Sequence, residues 1–205
     1  MGTEMIKEID MVVHAALDFA PLDEDDRCRI ISIYPQIKDE LINYCRQKKL
    51  LPFVARLMLA LKLDVEMWGD VLESYRKRNS DAKRELESVF HALREHGVAE
   101  CCPIENFAAL LASGEDIGLF ASGDIDVYAG QADHEMVHAV MTELGYTRNV
   151  ANSYQGYYYS KDNSPVGINM MWMWQARRNM PFRTVLDYQN MEIGGGRFHS
   201  FLSMN

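Results

Sequence analysis

The stretch "ASGDIDVYAG", residues 121–130, sets two aspartates one residue apart inside a short apolar run. Side chains alternate along a strand, so Asp124 and Asp126 would share one face while Ile125 and Val127 take the other. Two adjacent carboxylates repel, and partial burial makes both harder to keep ionised without a cation. A divalent ion such as Mg²⁺ removes that conflict. It prefers hard oxygen ligands and commonly shares them with substrate phosphates. The pair therefore suits phosphoryl or nucleotidyl transfer, where metal ions clamp the attacking and leaving oxygens. Alone, Asp-x-Asp is also common on solvated sheet edges, so the flanking sequence has to decide.

On both sides of the pair the pattern alternates between strand and helix. "VAECCPI" reads as a short strand, "ENFAALLASG" as a helix and "GDIDVYA" as a strand. "QADHEMVHAVMTELG" then reads as an amphipathic helix that stops at Gly145. "YTRNV", "YQGYYYSK" and "VGINMMWMW" look like successive strands, with turns at Asn152-Ser153 and through residues 162–165. "NMEIGG" and "RFHSFLS" look like two more. Residues 3 to about 96 have helical texture instead. Met5, Ile6, Ile9, Val12, Val13, Ala16 and Leu17 mark one helical face. Breaks are expected at Pro21 and at Pro35, with Pro35 in the first turn of a new helix. "LPFVARLMLALKL" should be deeply packed, and Gly97 should cap the last helix. The expected organisation is a helical region, 1–97, and an α/β domain, 98–205.

The formal net charge of -9 and pI near 5.1 disfavour general nucleic-acid binding, which needs a basic surface. Cys28, Cys45, Cys101 and Cys102 form no C-x-x-C pair, which fits a reduced chain. The charged start "MGTEMIKEID" lacks the apolar core of an export signal, and no apolar run is long enough for a bilayer. The cytoplasm is the expected compartment. The acidic run Asp23 to Asp26 reads as a solvated helix start. His134, Glu135 and His138 match H-E-x-x-H literally, but the pattern follows a strand closely and has no fitting third ligand, so solvated helix-face residues are expected. Arg148, Lys161, Arg177, Arg178 and Arg183 read as scattered surface charges or as a basic rim for an anion. "YQGYYYS" and "NMMWMWQ" read as sheet packing, or as a Met-rich and aromatic surface able to stack a nucleobase or meet a protein partner.

The order of strand, short helix, "SGDIDVY", helix and "ELGY" resembles the nucleotidyltransferase superfamily, which includes polymerase β. Within it the chain is similar to the bacterial uncharacterised nucleotidyltransferases with a "gDiDllv … lGy" hallmark. The resemblance implies an α+β fold, with a helical N-terminal region followed by a mixed sheet flanked by helices. It also implies Asp124 and Asp126 as the catalytic and metal-binding pair, with Ser122, Gly123 and Asn169 against a nucleotide. Mg²⁺ would be the cofactor, an NTP the substrate, and a small molecule or protein the acceptor. Five positions depart from the family pattern. The usual Lys-Gly step aligns with Glu105-Asn106, a frequent arginine with Phe120, the third carboxylate with Asn169 and a common histidine with Met171. These departures raise an alternative, a degenerate member acting as a binding or regulatory partner in a biosynthetic or toxin–antitoxin setting. The chain stops just after an apparent strand where relatives continue into helices, which reads as a shortened or truncated member.

Overall fold

Apolar residues recurring every three or four positions fold the first part of the chain into four helices. A computed structural model describes residues 3–18, 20–98, 101–129, 134–151, 156–171, 186–193 and 196–203, with backbone alone at 105, 150, 151 and 186–203. Helix α1, Thr3–Leu17, buries Ile9, Val12, Val13 and Ala16. Helix α2, Glu24–Gln47, buries Ile30, Tyr34, Ile37, Leu41 and Cys45. Helices α3, Leu51–Ala60, and α4, Val65–Glu95, follow. As the sequence predicts, α3 is buried along most of its length, through Leu51, Pro52, Val54, Ala55, Leu57 and Met58. Its one arginine, Arg56, donates to the Ala16 carbonyl at 3.1 Å and so satisfies an open acceptor in the last turn of α1.

The acidic run is a helix start. Asp23 is the N-cap of α2, and its carboxylate accepts from the Asp26 amide at 2.7 Å. Pro35 corrects the sequence reading, because α2 runs through it unbroken. Proline removes one amide and crowds the carbonyl four residues earlier, that of Ile31. Both residues lie on the exposed side, where the freed carbonyl is open to solvent. The buried stripe continues past the proline from Tyr34 to Ile37 and Leu41, and its burial keeps the helix in one piece.

Contacts divide the chain into two compact units, residues 1–77 with 118–121 and residues 78–117 with 122–205. The division falls inside α4. Trp68 and Leu72, near its start, belong to the core of the first unit, and Leu86, Phe90 and Leu93 are buried further along. Gly97 ends α4 as expected. Its φ of 85° lets its own amide and that of Val98 reach back to Arg94 and Leu93, each at 2.9 Å.

The second unit carries a five-stranded mixed sheet in the order β1-β2-β5-β4-β3. The strands are β1 Cys101–Pro103, β2 Asp124–Ala129, β3 Thr147–Ala151, β4 Tyr157–Ser160 and β5 Gly167–Met171. Only β2 and β5 run parallel, and the other neighbours are antiparallel. Helix α5, Glu105–Ser113, links β1 towards β2, and α6, His134–Glu143, links β2 towards β3. Strands β6, Leu186–Ile193, and β7, Gly196–Ser203, pair antiparallel in a separate two-stranded sheet. This is the α+β architecture expected from the sequence. Among the described residues, no helix is long and apolar enough to cross a membrane.

Candidate functional site

Strand β2 is half-buried on one face and buried on the other. Ile125, Val127 and Ala129 are buried, and Asp124, Asp126 and Tyr128 lie on the half-buried side. Both carboxylates therefore stand on one face, at the N-terminal end of a strand with neighbours on both sides.

The parallel register fixes their company. Asp124 lies opposite Gly167, and Asp126 opposite Asn169. Residues opposite one another share a face, so the Asn169 amide reaches Asp126 and donates to its Oδ1 at 2.8 Å. The Ser122 hydroxyl donates to Asp124 Oδ1 at 2.7 Å. Each carboxylate thus has one oxygen held by a neutral donor. Among the described residues, no lysine or arginine pairs with Asp124. Backbone bonds pin the strand as well. The Gly167 amide donates to the Gly123 carbonyl at 3.1 Å, and the Ile104 amide to that of Asp126 at 2.9 Å. Gly123 is exposed, with open space where a Cβ would stand. Ser122, Gly123, Asp124, Asp126 and Asn169 come together at one end of β2 and β5.

The departures from the family pattern fall as follows. Glu105 begins α5, with its side chain outside the described residues, and Asn106 is exposed. Phe120 and Met171 are buried, as apolar residues should be. Asn169 occupies the strand position opposite Asp126 where a third carboxylate is expected. Among the described residues, no group of three His, Cys, Asp or Glu could hold a metal ion.

The other singled-out residues lie apart from this set. Lys161 pairs with Glu85 at 3.6 Å and stands 5.3 Å from the centre of the Tyr146 ring. Arg148 lies 4.7 Å over the Tyr157 ring. Arg177, Arg178 and Arg183, and the tryptophans of "NMMWMWQ", lie outside the described residues. Tyr159, Met170 and Met171 are buried in the sheet. His134 and Glu135 are exposed on α6 as expected, but His138 is half-buried. Its ring centre lies 6.2 Å from that of Tyr159, and neither His138 Nδ1 nor the Tyr159 hydroxyl has a partner among the described residues. The β-sheet covers that face of the helix, which periodicity alone does not show. Two surface grooves, one by Lys83, Arg84 and Leu110 and one by His14, Asp18 and Asp23, leave the aspartates out.

Sequence reasoning read one neighbour of the pair only as part of an aromatic cluster. Tyr158 on β4 lies opposite Asn169, and its phenol end crosses β5 so closely that a Cβ on Gly167 would overlap its oxygen. A glycine inside a strand pattern often marks such a close approach, and that was the available signal.

Residues 35–204 match the sequence model of the family described as uncharacterised nucleotidyltransferase. A comparison with curated proteins gives no match. The family match covers most of the chain and includes the Asp pair, its strand partner and the whole five-stranded sheet, so the chain belongs to the uncharacterised nucleotidyltransferase family.

Proposed function

We propose that Asp124 and Asp126 hold a divalent cation, Mg²⁺ first, and that with Ser122, Gly123 and Asn169 they seat an NTP whose nucleotidyl group passes to a small-molecule or protein acceptor. The observation that carries this reading is the pairing of two half-buried carboxylates on one strand face, with Asn169 bonded to the second. The two carboxylates fit the ion, because they are hard oxygen ligands, and the Ser122 hydroxyl and the Asn169 amide N–H hold one oxygen of each. When bound, the cation neutralises charge on the phosphate oxygens and orients the triphosphate.

The chain's own residues prepare this place. Ser122 and Asn169 each donate to one carboxylate oxygen and so fix both side chains before a ligand arrives. The missing Cβ at Gly123 leaves room for a phosphate to approach the backbone at the start of β2. In the transfer, the bond between the α-phosphorus and the bridging oxygen breaks and pyrophosphate leaves. A new bond forms from the α-phosphorus to the acceptor oxygen or nitrogen, and the acceptor's proton passes to solvent.

One observation favours the second reading, a nucleotide-binding regulatory partner without turnover. Asn169 stands where the third acid is expected, and an amide takes no proton from an acceptor. An assay with α-labelled NTPs, Mg²⁺ and a metabolite and protein extract as acceptor pool separates the two. Label on an acceptor with wild type, lost in Asp124→Ala/Asp126→Ala, is the result expected for transfer. Nucleotide bound but never transferred would favour the regulatory reading.

A further inference from the structure

The face that carries the Asp pair extends onto the neighbouring strands. Asp126, Asn169 and Tyr158 are register partners across β2, β5 and β4, so their side chains form one row. Tyr158 leans off that row, across β5, towards the end of the sheet where Asp124 stands. Its phenol end lies over Gly167, the residue directly opposite Asp124. Any other residue at 167 would push the ring aside. Among the described residues the Tyr158 hydroxyl has no hydrogen-bond partner, although the side chain is half-buried. Ser122 and Asn169, by contrast, both spend a donor on the carboxylates themselves.

We infer that the Tyr158 hydroxyl is a ligand-contacting donor that hydrogen-bonds a non-bridging phosphate oxygen of the nucleotide held at Asp124 and Asp126, and that Gly167 is glycine so that the phenol can reach it. The inference rests on the proposed metal–nucleotide reading. A phosphate oxygen is the acceptor of choice because, on that reading, the aspartates hold the phosphate chain at this end of the sheet, beside the Tyr158 phenol over Gly167.

Calorimetric titration with Mn²⁺ alone, and with Mn²⁺ plus each of ATP, GTP, CTP and UTP, tests it on four chains: wild type, Tyr158→Phe, Gly167→Ala and Asp124→Ala/Asp126→Ala. Tyr158→Phe keeps the ring and its packing and removes only the hydroxyl. It should weaken the preferred Mn²⁺–nucleotide complex about tenfold while leaving Mn²⁺ alone unchanged. Gly167→Ala should weaken the same complex in the same direction. If Tyr158→Phe binds like wild type while the double aspartate variant does not bind, the tyrosine inference is overturned and the metal reading stands. If Tyr158→Phe loses Mn²⁺ alone as well, the residue is structural and the inference is again overturned. If wild type binds no Mn²⁺–nucleotide, both fail together.

Discussion

Asn169 is where the chemistry of this site turns. It stands opposite Asp126 and gives that carboxylate a neutral donor in place of a second negative charge. Asn169→Asp would put three carboxylates on one face, and like charges disfavour each other's ionised form. We expect a melting temperature several degrees lower in EDTA, by roughly 1–2 kcal/mol, with recovery on adding Mg²⁺. An unchanged melt with and without the ion would contradict this account of the pair. Cysteine titration gives a second residue-scale prediction. Burial pushes the Cys45, Cys101 and Cys102 thiols up from an ordinary 9.0 to about 12, whereas Cys28 is exposed. The folded state thus favours the neutral thiol. That contribution is complete below pH 9.0 and is lost as pH rises towards 12. Alkylation at pH 8 should label Cys28 quickly and spare the other three until unfolding, which mass spectrometry would show. Two of the site's features were open to a reader of the sequence. Alternation put Asp124 and Asp126 on one face, and the family resemblance pointed to Asn169. Gly167 signalled a close approach, but not that Tyr158 makes it, because the direction in which a side chain leans across its neighbours depends on a register that no local pattern encodes.

At the scale of elements, Pro35 shows how burial overrides local propensity. The sequence predicts a break, since proline inside a helix costs about 3 kcal/mol relative to alanine. The structure keeps α2 whole because Tyr34, Ile37 and Leu41 continue the buried stripe across the site. Pro35 is itself exposed, so Pro35→Ala restores an amide without removing packing. It should raise stability by about 1–3 kcal/mol in denaturant melts, and a loss of stability would show that the proline is required. A polar chain holds the start of α4 to α2. The buried Trp68 indole donates to the Tyr34 hydroxyl at 2.8 Å, which donates to Asp64 at 2.8 Å, and Lys38 reaches the same carboxylate at 2.6 Å. Lys38 and the Tyr34 hydroxyl hold the Asp64 carboxyl below its ordinary range. Tyr34→Phe leaves the indole N–H buried without a partner and should destabilise by about 1–3 kcal/mol in the same melts. A neutral outcome would mean that water replaces the hydroxyl. Helices, caps and most strands were readable from periodicity and from the glycines at 97 and 145. The Tyr34 chain was not, because its members are 30 and 34 residues apart in sequence.

Across the whole molecule, the arrangement that matters is non-local. Asp126 and Asn169 are 43 residues apart and meet only because β5 pairs parallel with β2 in the sheet centre. A list of strands in chain order does not contain that pairing. The family resemblance pointed to Asn169 on a later strand but did not give the parallel pairing that brings it to Asp126. The charge of -9 sets the scale of permissible partners, favouring a small anion delivered with a cation over a polyanion gripped by many phosphates. The central claim is that Asp124 and Asp126 together bind a divalent ion whose hold is strengthened by a nucleotide. Electron paramagnetic resonance of Mn²⁺, titrated with wild type and with Asp124→Ala/Asp126→Ala in the presence and absence of NTPs, reads this directly. The account predicts that wild type removes free Mn²⁺ signal, more so with nucleotide, and that the double variant leaves it in solution. Equal depletion by both chains, or none by wild type, would contradict it.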